Sequence, residues 1–497
     1  MRATKLPSSD FFVVRTYVSD HNYDSTHRNA NHRQATAKVL GTLMCSNYGE
    51  KKCGLNPKQI MEQVRLDHGV HIGYKLAWRV KESDSIMVGT PEDSYQNLSK
   101  WMFKVHEKNP GSKVYLEMDP NGNKFKYSFV AFGQSIRGFE LMRRVIVVDG
   151  TFLKGKFKGT LLGASAQDGD YSLYPLAFGI VDSENEHAWT WFFRGLKTVI
   201  PDASDLVFVS DISQSIAKAL SVVYPLAHHG ICRIHILRNI TPKYGRTGLL
   251  PLVEAAADAY TRHEFISIFN DIRNRSPKLA SYLEESDFAK WARCYAPSNR
   301  YNIMTTNIVE SLNSMLNLAR ERPLALKHKK LVTPRVAKIM LERYNAAMKL
   351  DVFQVDRYEF EVKDETRKYI VHLQNKQCTC LVFDIDRIPC VHAIAAAKRT
   401  NKDANKYVDQ AYLTETWAKA YAESIHPCGD LTNCDFPDTE VVSSCAPPTC
   451  KQTSGGPPTK RKRSVGEFGV PGSKSQGHKC SRCNVGGHNR STCRSPL

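Results

Sequence analysis

A mixed α/β domain flanked by small zinc-binding modules is the architecture the sequence predicts, and three observations predict it. Residues 143–182 read RRVIVVDGTFLKGKFKGTLLGASAQDGDYSLYPLAFGIVD, β-branched and apolar runs punctuated by Gly and Asp, the pattern of three short strands of one sheet. An amphipathic helical pattern follows (HAWTWFFRGLKTVI), then a buried strand (LVFVSD), then a second helical pattern (SQSIAKALSVVY). Cysteines and histidines gather at metal-ligand spacing in two sets towards the end of the chain. Strands alternating with helices imply a sheet covered by helices.

The elements before this core come in order. FFVVRTYV reads as a strand, and LNPKQIMEQVRLDHG as a helix with Asn56 as N-cap and Pro57 at its first position. His21, His27, His32, Cys45 and Cys53 are scattered, without a CxxC or HxxxH pair to anchor a metal. Residues 96–140 are expected to connect this region to the core through a helix and a hairpin turning at Asp119, Pro120, Asn121 and Gly122, which supports the sheet.

Composition narrows the function. At 497 residues the chain is long enough for two or three domains, and 42% hydrophobic content is that of a globular protein. Lys and Arg number 69 against 50 Asp and Glu, a formal charge of +19, which favours a polyanionic partner such as DNA or RNA. The absence of long apolar runs and of a secretory leader leads to the expectation of a soluble, intracellular protein without membrane contact. Fourteen cysteines in such a chain point to metal binding ahead of disulfides.

Three acids carry the candidate chemistry. Asp149 ends the first core strand, Asp211 ends LVFVSD, and Glu310 lies in the helical pattern NIVESLNSML. Carboxylates converging on one sheet edge can hold Mg²⁺ or Mn²⁺ for in-line phosphodiester displacement, and each acid can equally be a turn residue or a cap. Cys232 and His235 stand three residues apart in CRIH, near a strand end or on one helical turn. Trp189, in HAWTWFF, is either helix core or a contact to a base.

VVDGTFLKGKFKGTLLGASAQDGDYSLYPLAFGIVDSENEHAWTWFF, VFVSD, GICRIHILRNI and TTNIVESLNSML, in that order, resemble the catalytic domain of Mutator-like element (MULE) transposases of plants. The resemblance implies an RNase H-like fold over 141–325 with a DDE triad of Asp149, Asp211 and Glu310, and a helical insertion at about 240–300 after the fifth strand. Glu284 and Glu285, within that insertion, compete with Glu310 for the third position. The resemblance also gives Cys232 and His235 a supporting role beside the acids, and Trp189 a place in the family pattern. Two departures stand out. ISQSI follows Asp211 where relatives carry a basic or histidine-containing segment. Residues 1–95 resemble the family's DNA-binding finger with His21 kept, Tyr23 in place of a cysteine and the earlier cysteines missing, so this finger reads as degenerate or truncated.

After a helical connector (326–356, including LKHKKLVTPRVAKIMLERYNAAMKL) comes an alternating stretch and the spacing C-x-C-x9-C-x-H of Cys378, Cys380, Cys390 and His392. Three thiolates and an imidazole close a tetrahedral Zn²⁺ shell, and the spacing resembles the SWIM zinc finger (357–400). A helix is expected at 401–426, then a Pro/Gly/Ser/Thr-rich linker at 427–479. That linker holds Cys428, Cys434, Cys445 and Cys450 at irregular spacing, and the basic cluster Lys460, Arg461, Lys462 and Arg463, a nuclear import signal or phosphate patch. Cys480, Cys483, His488 and Cys493 (480–493) form C-x2-C-x4-H-x4-C, which resembles a retroviral-type zinc knuckle, a second structural Zn²⁺ site and a contact to single-stranded nucleic acid.

The resemblance points to a nuclear DNA transposase or a derivative, oligomeric if active, acting on terminal inverted repeats. A non-catalytic DNA-binding regulator at regulatory sites, and a knuckle-bearing RNA-binding adaptor, are the alternatives.

Overall fold

The computed structural model describes residues 2–5, 11–17, 35–37, 39–40, 43, 57–87, 91–120, 123–153, 156–245, 247–306, 328, 330–428 and 445–448. The chain divides into two compact units, Met1–Gln96 and Asn97–Leu497.

In the first unit a short antiparallel pair, β1 (Arg2–Lys5) and β2 (Phe12–Thr16), precedes the helices α1 (Pro57–His68), α2 (Tyr74–Met87) and α3 (Pro91–Gln96). Ile60 and Val64 of α1 and Ala77 and Val80 of α2 are spaced one helical turn apart and bury a small core with Leu40 and Ile72.

The second unit is built on a seven-stranded sheet. It opens with α4 (Leu98–Lys108), β3 (Lys113–Met118), β4 (Phe125–Ala131) and α5 (Gly133–Phe139). Next come β5 (Val145–Phe152), β6 (Thr160–Gln167), β7 (Leu173–Val181), α6 (Glu186–Lys197), β8 (Val207–Ser210), α7 (Gln214–Val223) and β9 (His228–Ile231). The spatial order is β3-β4-β7-β6-β5-β8-β9. The strands from β3 to β5 are antiparallel to their neighbours, whereas β8 runs parallel to both β5 and β9. The hairpin β3–β4 therefore joins the sheet through β7 as well as supporting it. Each parallel step is bridged by a helix, as a parallel crossover requires.

Strand alternation sorts the two faces. Ile146, Val148, Leu162 and Phe208 pack beneath α6 and α7 with Trp189, Phe192 and Phe193, while Val145, Val147, Val207 and Val209 face Cys232 and Ile303. After β9 the chain enters a helical lobe: α8 (Arg233–Tyr244), α9 (Leu250–Asp258), α10 (Arg262–Arg275), α11 (Pro277–Glu285) and α12 (Phe288–Trp291). Its aromatic core holds Phe265, Phe269 and Trp291. Arg300, buried at the exit of the lobe, donates to the carbonyls of Lys290 (2.9 Å) and Trp291 (2.8 Å).

The last module contains α13 (Pro334–Ala347), the sheet β10 (Asp351–Gln354), β11 (Glu359–Asp364), β12 (Arg367–His372) and β13 (Gln377–Cys378), then α14 (Val382–Asp386), α15 (Val391–Arg399) and α16 (Thr414–Ala420).

Three expectations are corrected here. The connector is not helical throughout: Val332 bridges Leu413, Pro334 starts the helix at its first turn, and β10 already belongs to the module's sheet. The helix expected over 401–426 is confined to α16, because Asp403 and Asp409 accept from Asn405 N–H (2.9 Å) and Ala411 N–H (3.0 Å) and cap two separate 3-10 turns. Part of the linker is ordered against the sheet: Phe125 N–H donates to the Ala446 carbonyl (2.8 Å), and Cys445 is buried. Cys428 is half-buried against the α4 side of the sheet. Among the described residues no helix is long and apolar enough to cross a membrane.

Candidate functional site: an acidic strand edge and a zinc centre

β5 and β8 run parallel with Val145 opposite Val207, Ile146 opposite Phe208 and Val147 opposite Val209. Asp149 lies two residues beyond Val147 within β5, where the period of two keeps it on the face of Val147, and Asp211 lies two residues beyond Val209, just past the end of β8. The Asp211 carboxylate accepts from Ser213 N–H (2.9 Å), which pins the turn into α7, and Asp149 accepts from Gly150 N–H (2.8 Å).

The same face receives the CRIH segment. Cys232 caps α8 and His235 lies in its first turn, both buried. Thr306, also buried, closes the group: its N–H donates to Cys232 Sγ (3.2 Å), and its hydroxyl lies 3.2 Å from His235 Nδ1. Burial draws the His235 pKa down, but the Cys232 thiol, then Asp211 and then Asp149 outweigh it and the net change is a rise. For Cys232 burial pushes upward and is outweighed by His235 and Thr306, so the thiol falls. Both carboxylates thus act on one imidazole. Thr306 is four residues before Glu310, which lies outside the described residues.

Among the competing acids, Glu284 pairs with Arg273 (2.7 Å) on the exposed surface of the helical lobe. Trp189 is fully buried, stacked on Phe193, with its indole N–H directed to Glu184 (3.4 Å); this is the helix-core alternative of its two readings. Glu184 is an acid that sequence reasoning missed. Its carboxylate lies against Gly150, where a Cβ would stand only 3.1 Å from it, on the face opposite Asp149. Thr306 was missed too, and its only signal was its place just before NIVES. So was His229, whose Nε2 is 2.8 Å from Ser210 Oγ and whose pKa burial, and then Lys290, pull down to about 4.

The second site is sulfur-rich. Ligand atoms of Cys378, Cys380, Cys390 and His392 all lie within 4.8 Å of one another. Nδ1 of His392 is 3.6 Å from Cys378 Sγ and 3.9 Å from Cys390 Sγ, close to the ~3.8 Å edge of a tetrahedron built on 2.3 Å Zn–S bonds. Left-handed residues on either side of α14, Leu381 and Arg387, fold the loop between the pairs. Cys390 caps α15, its sulfur accepting from Ala393 N–H (3.4 Å), and the Tyr369 ring stacks on His392 at 4.0 Å. Asp364 stands 3.5 Å from Nε2, an ion-pair distance without hydrogen-bond alignment, on the side away from the sulfurs.

Hydrogen bonds from Cys378 and then Cys390 drive the Cys380 thiol far down. Its neighbours rise, Cys378 to about 12 through its bond to Cys380, and Cys390 chiefly through burial. Three thiolates in one buried cluster need a cation to share, so the donor set fits Zn²⁺. A cleft of about 570 Å³ opens onto this site, lined by Tyr260, His263, Arg343, Arg367, Cys380 and His392. The knuckle residues Cys480, Cys483, His488 and Cys493, and the cluster Lys460 to Arg463, lie outside the described residues.

Residues 145–239 match the MULE transposase domain, spanning Asp149 to the CRIH helix. The chain carries a MULE transposase domain. Residues 369–401 match the SWIM zinc finger and contain all four clustered ligands. The chain is similar to Protein FAR1-RELATED SEQUENCE 5 of Arabidopsis thaliana, 20% identical over 85% of this chain and 61% of that protein. It is also similar to the transposase for insertion sequence element IS905 of Lactococcus lactis, 24% identical over 42% of this chain and 56% of that one. The transposase for insertion sequence element IS1201 of Lactobacillus helveticus is 24% identical over 28% of this chain and 39% of its own length. The chain thus spans less than two thirds of each of these relatives. A transposase-like or transposase-derived protein with a SWIM zinc finger is the description these matches support, and the strand-edge acids fall inside its MULE transposase domain.

Proposed function

We propose that this protein is a Mutator-like DNA transposase or a close derivative, working in the nucleus on terminal inverted repeats. The observation that carries the proposal is the parallel pairing of β5 with β8 up to Val147 and Val209, each two residues before an acid, with His235 in the field of both Asp149 and Asp211. The strand order, three antiparallel strands followed by two parallel ones added at the β5 edge, supports reading the core as RNase H-like. The helical lobe after β9 takes the place of the insertion.

Asp149 and Asp211, with Glu310, would hold Mg²⁺ or Mn²⁺. A divalent cation in such a place supplies charge neutralisation at a phosphodiester and a nucleophile at neutral pH. The chain's own part is to fix one carboxylate on a strand and the other just past a strand end, to keep His235 and Cys232 as a buried charge-balancing pair in their field, and to return the chain to that pair at Thr306. An active form works as a homo-oligomer, because both transposon ends must be processed together. Zn²⁺ in the SWIM module is structural, and the second Zn²⁺, in the knuckle at 480–493, contacts single-stranded nucleic acid.

A second reading, a DNA-binding regulator without cleavage, is favoured by one observation. The segment after Asp211 offers Ser213 as a backbone donor to the carboxylate and no cationic side chain for a phosphate. One experiment separates the two: full-length protein with labelled terminal-repeat duplex and Mg²⁺ or Mn²⁺, beside Asp149→Asn and Asp211→Asn. The transposase reading expects strand cleavage that falls about a thousandfold in each variant, some 4 kcal/mol of barrier, with DNA binding retained. Equal cleavage by all three overturns it, and binding without cleavage by any of them establishes the regulator.

A further inference from the structure

The first unit holds a surface that the acidic edge and the zinc centre do not use. α1 and α2 are joined by five residues, Gly69–Gly73, and Gly69 has φ +64°, a left-handed turn that glycine adopts without steric cost. One side of α2 is buried through Ala77 and Val80. The other side presents Tyr74, Lys75, Trp78 and Arg79, all exposed, Tyr74 at 57% and Trp78 at 50%. Residues 74 and 78, and 75 and 79, are four apart, so the four side chains form one patch over the first two turns.

Charge selects the occupant of this patch. On α1 the acids are already engaged: Glu62 pairs with Arg65 (2.7 Å), and Asp67 accepts from the Gln63 amide (2.9 Å). Among the described residues Lys75 and Arg79 form no ion pair, and they flank two large aromatics. A protein partner's hydrophobic surface would leave both cations desolvated, whereas a DNA groove accepts them. An α-helix of about 10–12 Å diameter matches a major groove about 12 Å wide. Arg reads guanine bidentately, Lys neutralises phosphate, and aromatic edges meet thymine methyls.

We propose that α1, its glycine turn and α2 form a helix-turn-helix that reads duplex DNA, with Arg79 and Trp78 facing bases and Lys75 a phosphate. The inference rests on the reading of the chain as a DNA-acting protein. It assigns sequence recognition in this unit to a helix, and needs no intact zinc finger there.

The test is binding, without Mg²⁺ or Mn²⁺, so cleavage does not enter. Full-length protein selects a preferred site from a duplex library with a randomised centre. Affinities for the selected and a scrambled duplex are then measured across salt for wild type, Lys75→Ala, Trp78→Ala, Arg79→Ala and Arg79→Lys. Arg79→Ala and Trp78→Ala should lose about tenfold or more on the selected duplex and less than about threefold on the scrambled one. Lys75→Ala should weaken both and lower the salt slope by about 1. Arg79→Lys, which keeps charge and helix, should bind both duplexes with little discrimination. Wild-type affinity, preference and salt slope in all four variants would overturn the proposal, as would equal losses on both duplexes for every variant.

Discussion

His229 shows how a single side chain under the sheet end sets a pH limit. Its ring nitrogen meets Ser210 beside Asp211, and burial, then Lys290, lower its pKa from 6.5 to about 4. A lowered histidine pKa means the unfolded chain binds more protons between those two values, so stability is present above about 6.5 and is lost as pH falls toward 4. Melting temperature should therefore drop over that window in the wild type, and His229→Gln should flatten the drop. An unchanged slope in the variant would place the acid sensitivity elsewhere. Sequence alone did not single out this histidine, because its role comes from a strand pairing nineteen residues away and not from a local pattern.

At the scale of elements, the zinc centre depends on three pieces meeting: β13 brings Cys378, the turn brings Cys380, and the first turn of α15 brings Cys390 and His392. Spacing made these four legible in the sequence, since two tight pairs separated by a short loop can only wrap one ion. Replacing Cys390 with Ser should release one equivalent of zinc by metal analysis and lower the melting temperature, because metal binding is coupled to folding of the module. Retained stoichiometry would mean that another group completes the shell. The strands and helices of the sheet were equally readable, their apolar periods being local. Less readable were the two 3-10 turns after residue 403 and the docking of Cys445 and Ala446. The first are decided by Asp403 and Asp409 capping their own backbone, and the second by a strand end more than three hundred residues upstream. The convergence of the acids on one edge was expected, but the register of β5 on β8, and the arrival of Thr306 against Cys232 and His235, follow from long-range packing that no window of sequence encodes.

Across the whole second unit, polar side chains clamp the zinc module to the sheet and the helical lobe. Asp386 pairs with Arg343 and accepts from the Tyr260 hydroxyl (3.0 Å), joining α13, α14 and the lobe. Arg143, buried, lies over the rings of Tyr171, Tyr301 and Tyr412 and donates to Asp168 O (2.9 Å). The Asp168 carboxylate in turn accepts from Trp417 Nε1 and Tyr421 OH, each at 2.9 Å, and from the N–H groups of Asp170 and Ser172. Asp168→Ala strands buried donors and should cost about 3–5 kcal/mol by denaturant unfolding, whereas Asp168→Asn, which keeps an acceptor, should cost less. Burial raises the Asp168 pKa, so its contribution is greatest below 3.8 and declines as pH rises; the asparagine variant should gain on wild type over the same range. Parallel pH profiles for the two proteins would contradict that assignment.

The span of this clamp bears on how the protein is made. Trp417 lies 249 residues beyond Asp168, so at about 5–20 residues per second a ribosome needs some tens of seconds between exposing the carboxylate and delivering its donors. Until then the acid of the β6–β7 turn lacks its indole and phenol donors and must stay wetted. A copy of the gene interrupted between the codons for Asp211 and Trp417 would thus yield a chain that retains Asp149 and Asp211 yet cannot close around Asp168.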